Sequence, residues 1–393
     1  MDIRIFWLAL GTFALSVESF ALPGLLPDIS AATGVSLIEG GYLVLTYALA
    51  YAVGAPILAA LTGARDRRVV LTSATAIYAL ATLAAGLAAN YGALMGARLI
   101  MALSIGLYSA TAQATAVAMS EPHHRARAIA VIVGGTTLAV AFGSPLGGLL
   151  ANLAGWRGMY FAIAIVALLA SGAIWLMVPA GMRGTRVPLR ERLAVVAAPG
   201  VAPVLLSMLL FSTGGFTVLS YIAPLATGPI GLDKSLLPGV LLAFGIGAAI
   251  GNYAGGQLAD RFGAQRTAFG ATLLAGISMA VISVLPLLGP ALVGPAFIAA
   301  VVIWGITAWA FPPATASQLV KLVPDSAPLA LSLNWSALYF GVAGGAVIGG
   351  QVLMHAGPID LGFIGAIFPL AAAAVIWIND PARHRLPSGV RLG

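Results

Sequence analysis

Glu18 lies deep inside the apolar run FWLALGTFALSVESFALPGLL (residues 6–26), the one acid set well within any such run of the chain. A carboxylate in that setting is costly unless it is paired, protonated or turned toward water. Arg98 is its basic counterpart, inside ALMGARLIMALSIG (residues 93–106). At 1.5 Å per helical residue, Glu18 falls about 20 Å from the inner end of its run and Arg98 about 8 Å from the outer end of its own. The chemistry open to such a carboxylate is proton exchange. Apolar surroundings favour the neutral acid, whereas a nearby guanidinium or cavity water favours the charged form, so an acid that meets two compartments in turn can load a proton in one and release it in the other. Two plainer readings stand beside this one. Glu18 can be a hydrogen-bonded strut between helices, and Arg98 can snorkel to the interface.

Other polar and aromatic residues inside apolar runs are candidates to line a substrate cavity: Tyr47, Tyr51, Tyr108, Gln113, Asn252, Trp304, Asn334, Trp335 and Tyr339. Each taken singly reads as a packed residue. As a set, buried amides that need partners and aromatic faces suit an uncharged, hydroxyl-bearing or amphipathic solute. Tyr42 and Tyr221, nearer the outer ends of their runs, fit an interfacial aromatic belt. The chain has no Walker loop, no His-Glu-x-x-His, no Gly-x-Ser-x-Gly elbow and no cysteine, so neither an enzyme, a cofactor nor a metal site is expected. The adjacent His123 and His124 read as a solvated turn.

These residues need a scaffold that holds them in oil. The 393 residues are 60% hydrophobic and 8% charged with a mean hydropathy of +1.02, which is the composition of a polytopic membrane protein. The runs are helix-length rather than the short alternating segments of a barrel, so an all-α protein is expected. Twelve spans are placed at about 5–27, 39–61, 69–90, 93–119, 128–152, 158–179, 201–225, 236–258, 267–288, 291–314, 329–351 and 362–379. The first reads as a retained span and not a signal peptide. Basic residues crowd one face, including Arg65, Arg67, Arg68, Arg183, Arg190, Arg192, Arg261, Arg266 and Lys321, while Arg157 and Lys234 fall on the other. By the positive-inside rule the crowded face is cytoplasmic and carries both termini, and a bacterial inner (plasma) membrane is the expected location. The arginines are scattered among tight loops, so the net charge of +7 implies lipid surface and topology and no nucleic acid.

The polar stretch at 180–200 reads as a cytoplasmic linker between six spans (1–179) and six spans (201–379), with a tail at 380–393. A weak internal repeat supports two related bundles: ALTGARDRRVVL (60–71) recurs as QLADRFGAQRTA (257–268). Gly256 would permit close helix approach, and Asp260 would face the positive end of a neighbouring helix, with Arg261 and Arg266 at the lipid surface. In GGTTLAVAFGSPLGG (134–148), glycines allow backbone contact and Pro145 removes a helical hydrogen bond.

Residues 255–266, GGQLADRFGAQR, closely resemble the signature loop of the major facilitator superfamily. VESFALPGLLPDI (17–29), the arginine at 98, the glycine-rich run at 134–148 and GWRGMYF (155–161) resemble further motifs of its twelve-span drug and sugar exporters, particularly the sugar-efflux or arabinose-efflux-permease-like branch. The resemblance implies two pseudo-symmetric six-helix bundles and export of a small solute in exchange for protons, with Glu18 and Arg98 as the proton-coupling pair. It implies a conformational latch at Gly256, Asp260, Arg261, Gly263 and Arg266. Its first-half copy, with Arg67 and Arg68, is degraded, since Gly63 stands where the family has aspartate and Asp66 comes three residues later. It implies an antiporter-motif helix built on Gly135, Gly143, Pro145, Gly147 and Gly148, from which Ser144 departs by separating glycine from proline. The expected partners are a small-molecule substrate, protons and the bilayer, with the chain working as a monomer. An importer or uniporter of the same fold, or a receptor or scaffold that has lost transport, are the alternatives.

Overall fold

The computed structural model describes residues 3–121, 125–184, 187–287 and 289–380; the His123–His124 pair, Arg186 and the basic tail beyond Asp380 lie outside the described residues. In hydrocarbon every backbone N–H must find its partner within its own segment, and the chain answers with helices throughout. These are α1 (Arg4–Thr33), α2 (Leu37–Thr62), α3 (Arg67–Gly86), α4 (Tyr91–Ala118), α5 (Arg125–Leu138) and α6 (Ser144–Met177), then the short α7 (Leu189–Ala194). There follow α8 (Val201–Leu219), α9 (Ile222–Thr227), α10 (Leu237–Phe262), α11 (Ala264–Val284), α12 (Pro290–Leu322), α13 (Ala327–His355) and α14 (Asp360–Ile378). Among the described residues 11 helices are long and apolar enough to cross a membrane, and a bent pair brings the number to 12. The architecture is the all-α, twelve-span one that the sequence predicts.

Helix starts are written locally. Ser36 and Glu39 form a capping box on α2, Asp66 accepts from the Arg68 amide at the head of α3, and Asn90 does the same for α4 through Ala93. Many hydroxyls inside spans spend themselves on the carbonyl one turn back, as Thr75 does on Leu71 and Thr217 on Thr213, at 2.8 Å each. That satisfies them in place and removes them from any site.

Two helices outrun the expected spans: α1 continues to Thr33 and α12 to Leu322, through Pro23 and Pro27 in the one and Pro312 and Pro313 in the other. Hydropathy marks where the oil ends, whereas hydrogen bonding carries a helix on into the headgroup layer. The fifth crossing is broken. Pro145 cannot donate to Ala141, and the chain widens into a π-helical turn at Ala139–Gly143 before bending 44° between Ala128–Gly143 and Pro145–Ala151. Gly155, at φ 70° and ψ 170°, then separates the fifth crossing from the sixth inside α6, a backbone conformation that requires glycine.

In the first group, α1 packs on α5 and α6, α3 on α4 and α6, and α2 on α4. In the second, α8 packs on α13 and α14, α10 on α12, and α11 on α12 and α14. Two seams join them, α2 with α13 and the π turn and α6 with α10.

Candidate functional site

The first group is centred on an ion pair. Arg98 from α4 meets Oε1 of Glu18 from α1, and the two side chains are 1% and 0% exposed. Tyr160 from α6 donates to the same oxygen at 2.9 Å, and the guanidinium in turn donates to Tyr160 at 3.3 Å. The Arg98 Nε reaches the Leu43 carbonyl at 3.4 Å, and its charge lies 5.0 Å from the centre of the Tyr47 ring. Tyr47 also accepts from Ser19 at 2.9 Å. One atom is left over: Oε2 of Glu18 is buried and has no hydrogen-bond partner. A carboxylate with one oxygen fully engaged and one bare offers a defined place for a proton.

Arg98 therefore does not snorkel. The energetic gain of pairing with a buried acid outweighs a reach of about 8 Å to the interface, because removing either partner would leave the other charged in oil. Glu18 is likewise shut away from water in this conformation. Tyr160 is the member of this cluster that reading the sequence missed, although GWRGMYF contains it. That motif builds the site: Gly155 makes the turn, Arg157 donates to the Ala88 carbonyl at 2.9 Å and stacks on Trp156, and Trp156 meets Tyr160 edge-on at 5.9 Å.

Away from the arginine-rich end, the two groups close on each other. The Asp28–Lys234 ion pair ties α1 to the turn before α10. A methyl group added at Gly148 would lie 2.9 Å from Pro238, one at Gly245 would lie 2.6 Å from Ala141, and one at Gly350 would lie 3.4 Å from Ile38. Small residues thus bring the seams into close contact, backbone to backbone at Gly245 and Ala141 and backbone to side chain at Gly148 and Gly350. Span five contributes most: Gly147 rests on Ala21 and Gly143 on Val17, so the glycine-rich run tracks α1 while Gly148 reaches the second group. Gly135 packs on the Ala9 carbonyl. Tyr221, expected in an aromatic belt, is instead buried in this closure and donates to the Ala346 carbonyl at 2.9 Å, because α8 breaks at Ser220 and turns its side chain inward.

Near mid-depth Tyr51 stacks on Tyr339 across the α2–α13 seam, with ring centres 3.7 Å apart. Toward the arginine-rich end the seam opens into a cavity of about 450 Å³ lined by Tyr51, Ser109, Gln113 and Trp335, with Arg65, Arg67 and Arg192 toward its mouth. At its head a chamber of about 20 Å³, one water in size, lies against Thr12, Ser16 and Tyr339. Of the residues expected to line a substrate cavity, Tyr51, Gln113, Trp335 and Tyr339 come together here. The other five line neither space. Tyr47 covers Arg98; Tyr108 ties α4 to the Leu8 carbonyl at 2.8 Å; Trp304 packs on Phe244 at 4.8 Å; Asn334 reaches Thr315 at 3.5 Å; Asn252 is half-buried on α10. Periodicity marks residues as inside a span, and which face meets the cavity depends on helix rotation within the bundle.

The two signature loops also differ from expectation. Gly256 faces open space, and its neighbour Gly255 makes the close approach, where an added methyl would sit 2.6 Å from Ala310. Asp260 is exposed and forms no ion pair among the described residues. Arg261 lies over the Phe262 ring at 5.2 Å, Gly263 caps α11 at φ 93°, and Arg266 is exposed. In the degraded copy Asp66 both caps α3 and accepts from the Gly181 amide at 2.6 Å, Arg67 donates to the Ala114 carbonyl at 2.8 Å, and Arg68 lies 4.1 Å over Trp175. The start of the linker is therefore fastened to the first group.

The model of the Major Facilitator Superfamily matches residues 8–294. The chain belongs to that superfamily. Like its relatives there it is a membrane transporter and not an enzyme, acting on a small-molecule substrate from within the bilayer. It is 31% identical to the inner membrane transport protein YdhP of Escherichia coli K12 over 88% of this chain and 87% of that one, in keeping with a place in the inner membrane. It is 32% identical to a chloramphenicol resistance protein of Streptomyces lividans over 70% of this chain and 71% of that one. In fold it is similar to a bacterial homologue of the human lysosomal transporter Spinster, in an inward-facing and occupied conformation, with a TM-score of 0.73, 19% identity and coverage of 95% and 96%.

Proposed function

We propose that this superfamily member exports a small neutral or amphipathic solute, such as a sugar, a nucleoside or an uncharged drug, in exchange for protons by alternating access. The observation that carries the reading is the position of the Glu18–Arg98–Tyr160 cluster relative to the cavity. Tyr47 covers Arg98, and one helical turn further along α2 Tyr51 walls the cavity, so a change at the ion pair has a direct path to the solute. When Glu18 meets the outer side it takes a proton on the bare oxygen and frees Arg98; when the cluster meets the inner side the proton leaves and the pair closes. The driving energy is about 2.3 kcal/mol per charge per 100 mV plus the pH difference.

The closure opposite the arginine-rich end supports an inward-facing resting state, with that end and both termini cytoplasmic. On this reading 1–179 and 201–379 rock as six-helix bodies about a linker at 180–200, the span-five glycines seal the seam against proton leak, and Asp260 with Arg261 and Arg266 latches the cytoplasmic side in the opposite state. The cavity carries three arginines and no carboxylate, which disfavours multivalent cations. The relative named for chloramphenicol resistance supports efflux of an uncharged aromatic solute. The experiment is solute uptake into inverted vesicles energised with a proton gradient: uptake follows the gradient and collapses with an uncoupler, and uptake indifferent to the gradient removes proton coupling.

A further inference from the structure

Thr12 on α1, Thr111 on α4 and Thr137 on α5 each donate to the carbonyl one turn back, the usual fate of a hydroxyl inside a span. Ser16, Gln113 and Thr136, on the same three helices, do not. All three line the chamber of about 20 Å³ at the head of the cavity, and their side chains form no hydrogen bond among the described residues. Ser16 is 4% exposed, and its hydroxyl is not among the polar atoms sealed in protein. A hydroxyl and an amide both donate and accept, and neither carries charge. No Asp, Glu, Lys or Arg lines the chamber. The cavity's arginines stand at its mouth, where Arg67 donates to the Ala114 carbonyl at 2.8 Å and Arg192 to those of Val187 and Ala59 at 3.3 and 3.5 Å. The facing wall is aromatic. Trp335 and Tyr339, one turn apart on α13, both line the chamber, and Trp335 continues into the cavity. The polar groups therefore come from the first helix group and the flat faces mainly from the second.

We infer, building on the export reading above, that the solute is an uncharged aromatic molecule ending in a hydroxyl, which enters the chamber to meet Ser16, Gln113 and Thr136 while its ring lies along Trp335. A hydroxyl is the size of the water the chamber would hold, and like the three side chains it both donates and accepts. A carboxylate or an ammonium would leave water for a space with no counter-charge. A saturated ring would lose the stacking that the indole offers. The cavity of about 450 Å³ leaves room for the rest of a small solute. Bound in this way, the solute spans the seam and holds α13 to the first group.

The test uses the full-length protein in uncharged detergent with no gradient, and follows a matched set of naphthalene probes by saturation-transfer NMR against empty micelles. Naphthylmethanol is expected to bind. Naphthoate, naphthylmethylammonium and the saturated decahydronaphthylmethanol are each expected to bind on the order of tenfold more weakly. Ser16→Ala with Gln113→Leu is expected to weaken naphthylmethanol on the order of tenfold, while methylnaphthalene, which has no polar end, binds as it does to the parent and so reports that the variant is folded. Trp335→Leu is expected to weaken both. Naphthylmethanol that does not bind, that binds no better than the charged probes, or that the double substitution leaves unchanged overturns the inference. Binding is read without transport, so its failure leaves proton-coupled export standing, and a transporter that proves uncoupled leaves the binding result standing.

Discussion

The first helix group buries an acid, a base and a tyrosine at its centre, whereas the second buries rings. Phe211 meets Phe311 at 4.4 Å and Phe244 meets Trp304 at 4.8 Å, where the first group has Glu18, Arg98 and Tyr160. Aromatic packing in oil is indifferent to protons. A hydrogen-bonded ion pair is not, since each member is tolerable only while the others are in place. On the export mechanism proposed above, the responsive element belongs to the first group and the frame to the second, with the glycine-lined seams letting one move against the other.

The largest effect expected from breaking this contrast is at Arg98. Arg98→Ala strands the Glu18 carboxylate and should cost about 3–5 kcal/mol of stability, measured as a fall in the thermal unfolding temperature in detergent. Replacing Glu18 by Leu in the same protein should recover much of the loss, and an Arg98→Ala protein as stable as its parent would show that the pair is not buried together. Trp304→Ala should cost about 3 kcal/mol through lost packing, yet leave protons moved per solute unchanged in proteoliposomes; an altered ratio would erase the distinction between the groups. Tyr160→Phe removes the hydroxyl that donates to Glu18 and accepts from Arg98 and should cost about 1–3 kcal/mol, slowing gradient-driven uptake while solute affinity, followed by tryptophan quenching, stays the same. Smallest is the loop comparison: Asp66→Ala should cost about 1 kcal/mol through the cap on α3 and the bond to the linker, while Asp260→Ala should leave unfolding unchanged and appear only in transport rate.

Much of this was legible beforehand because membrane chemistry writes in large letters. Long apolar runs name the spans, and Glu18 and Arg98 identify themselves by being charged inside them. Their contact was not legible, since depth along two helices does not give the angle at which each faces the other. Tyr160 was hidden for a related reason: a tyrosine five residues past a turn looks like belt, and only the Gly155 bend shows that its ring points inward. Gly255 and Gly256 make the same point at single-residue scale, because adjacent helix positions differ by about 100° and only one can meet α12. Hydroxyls mislead in the other direction, with Thr75 and Thr217 looking polar in sequence and being spent on their own helices.

The account turns on Glu18 as the proton carrier, and the direct measurement is proton-driven solute uptake into inverted vesicles by Glu18→Gln alongside solute counterflow with no gradient. Gln keeps the shape and cannot exchange a proton, so gradient-driven uptake should fall to the uncoupled level while counterflow persists. Gradient-driven uptake equal to that of the parent protein would contradict the account.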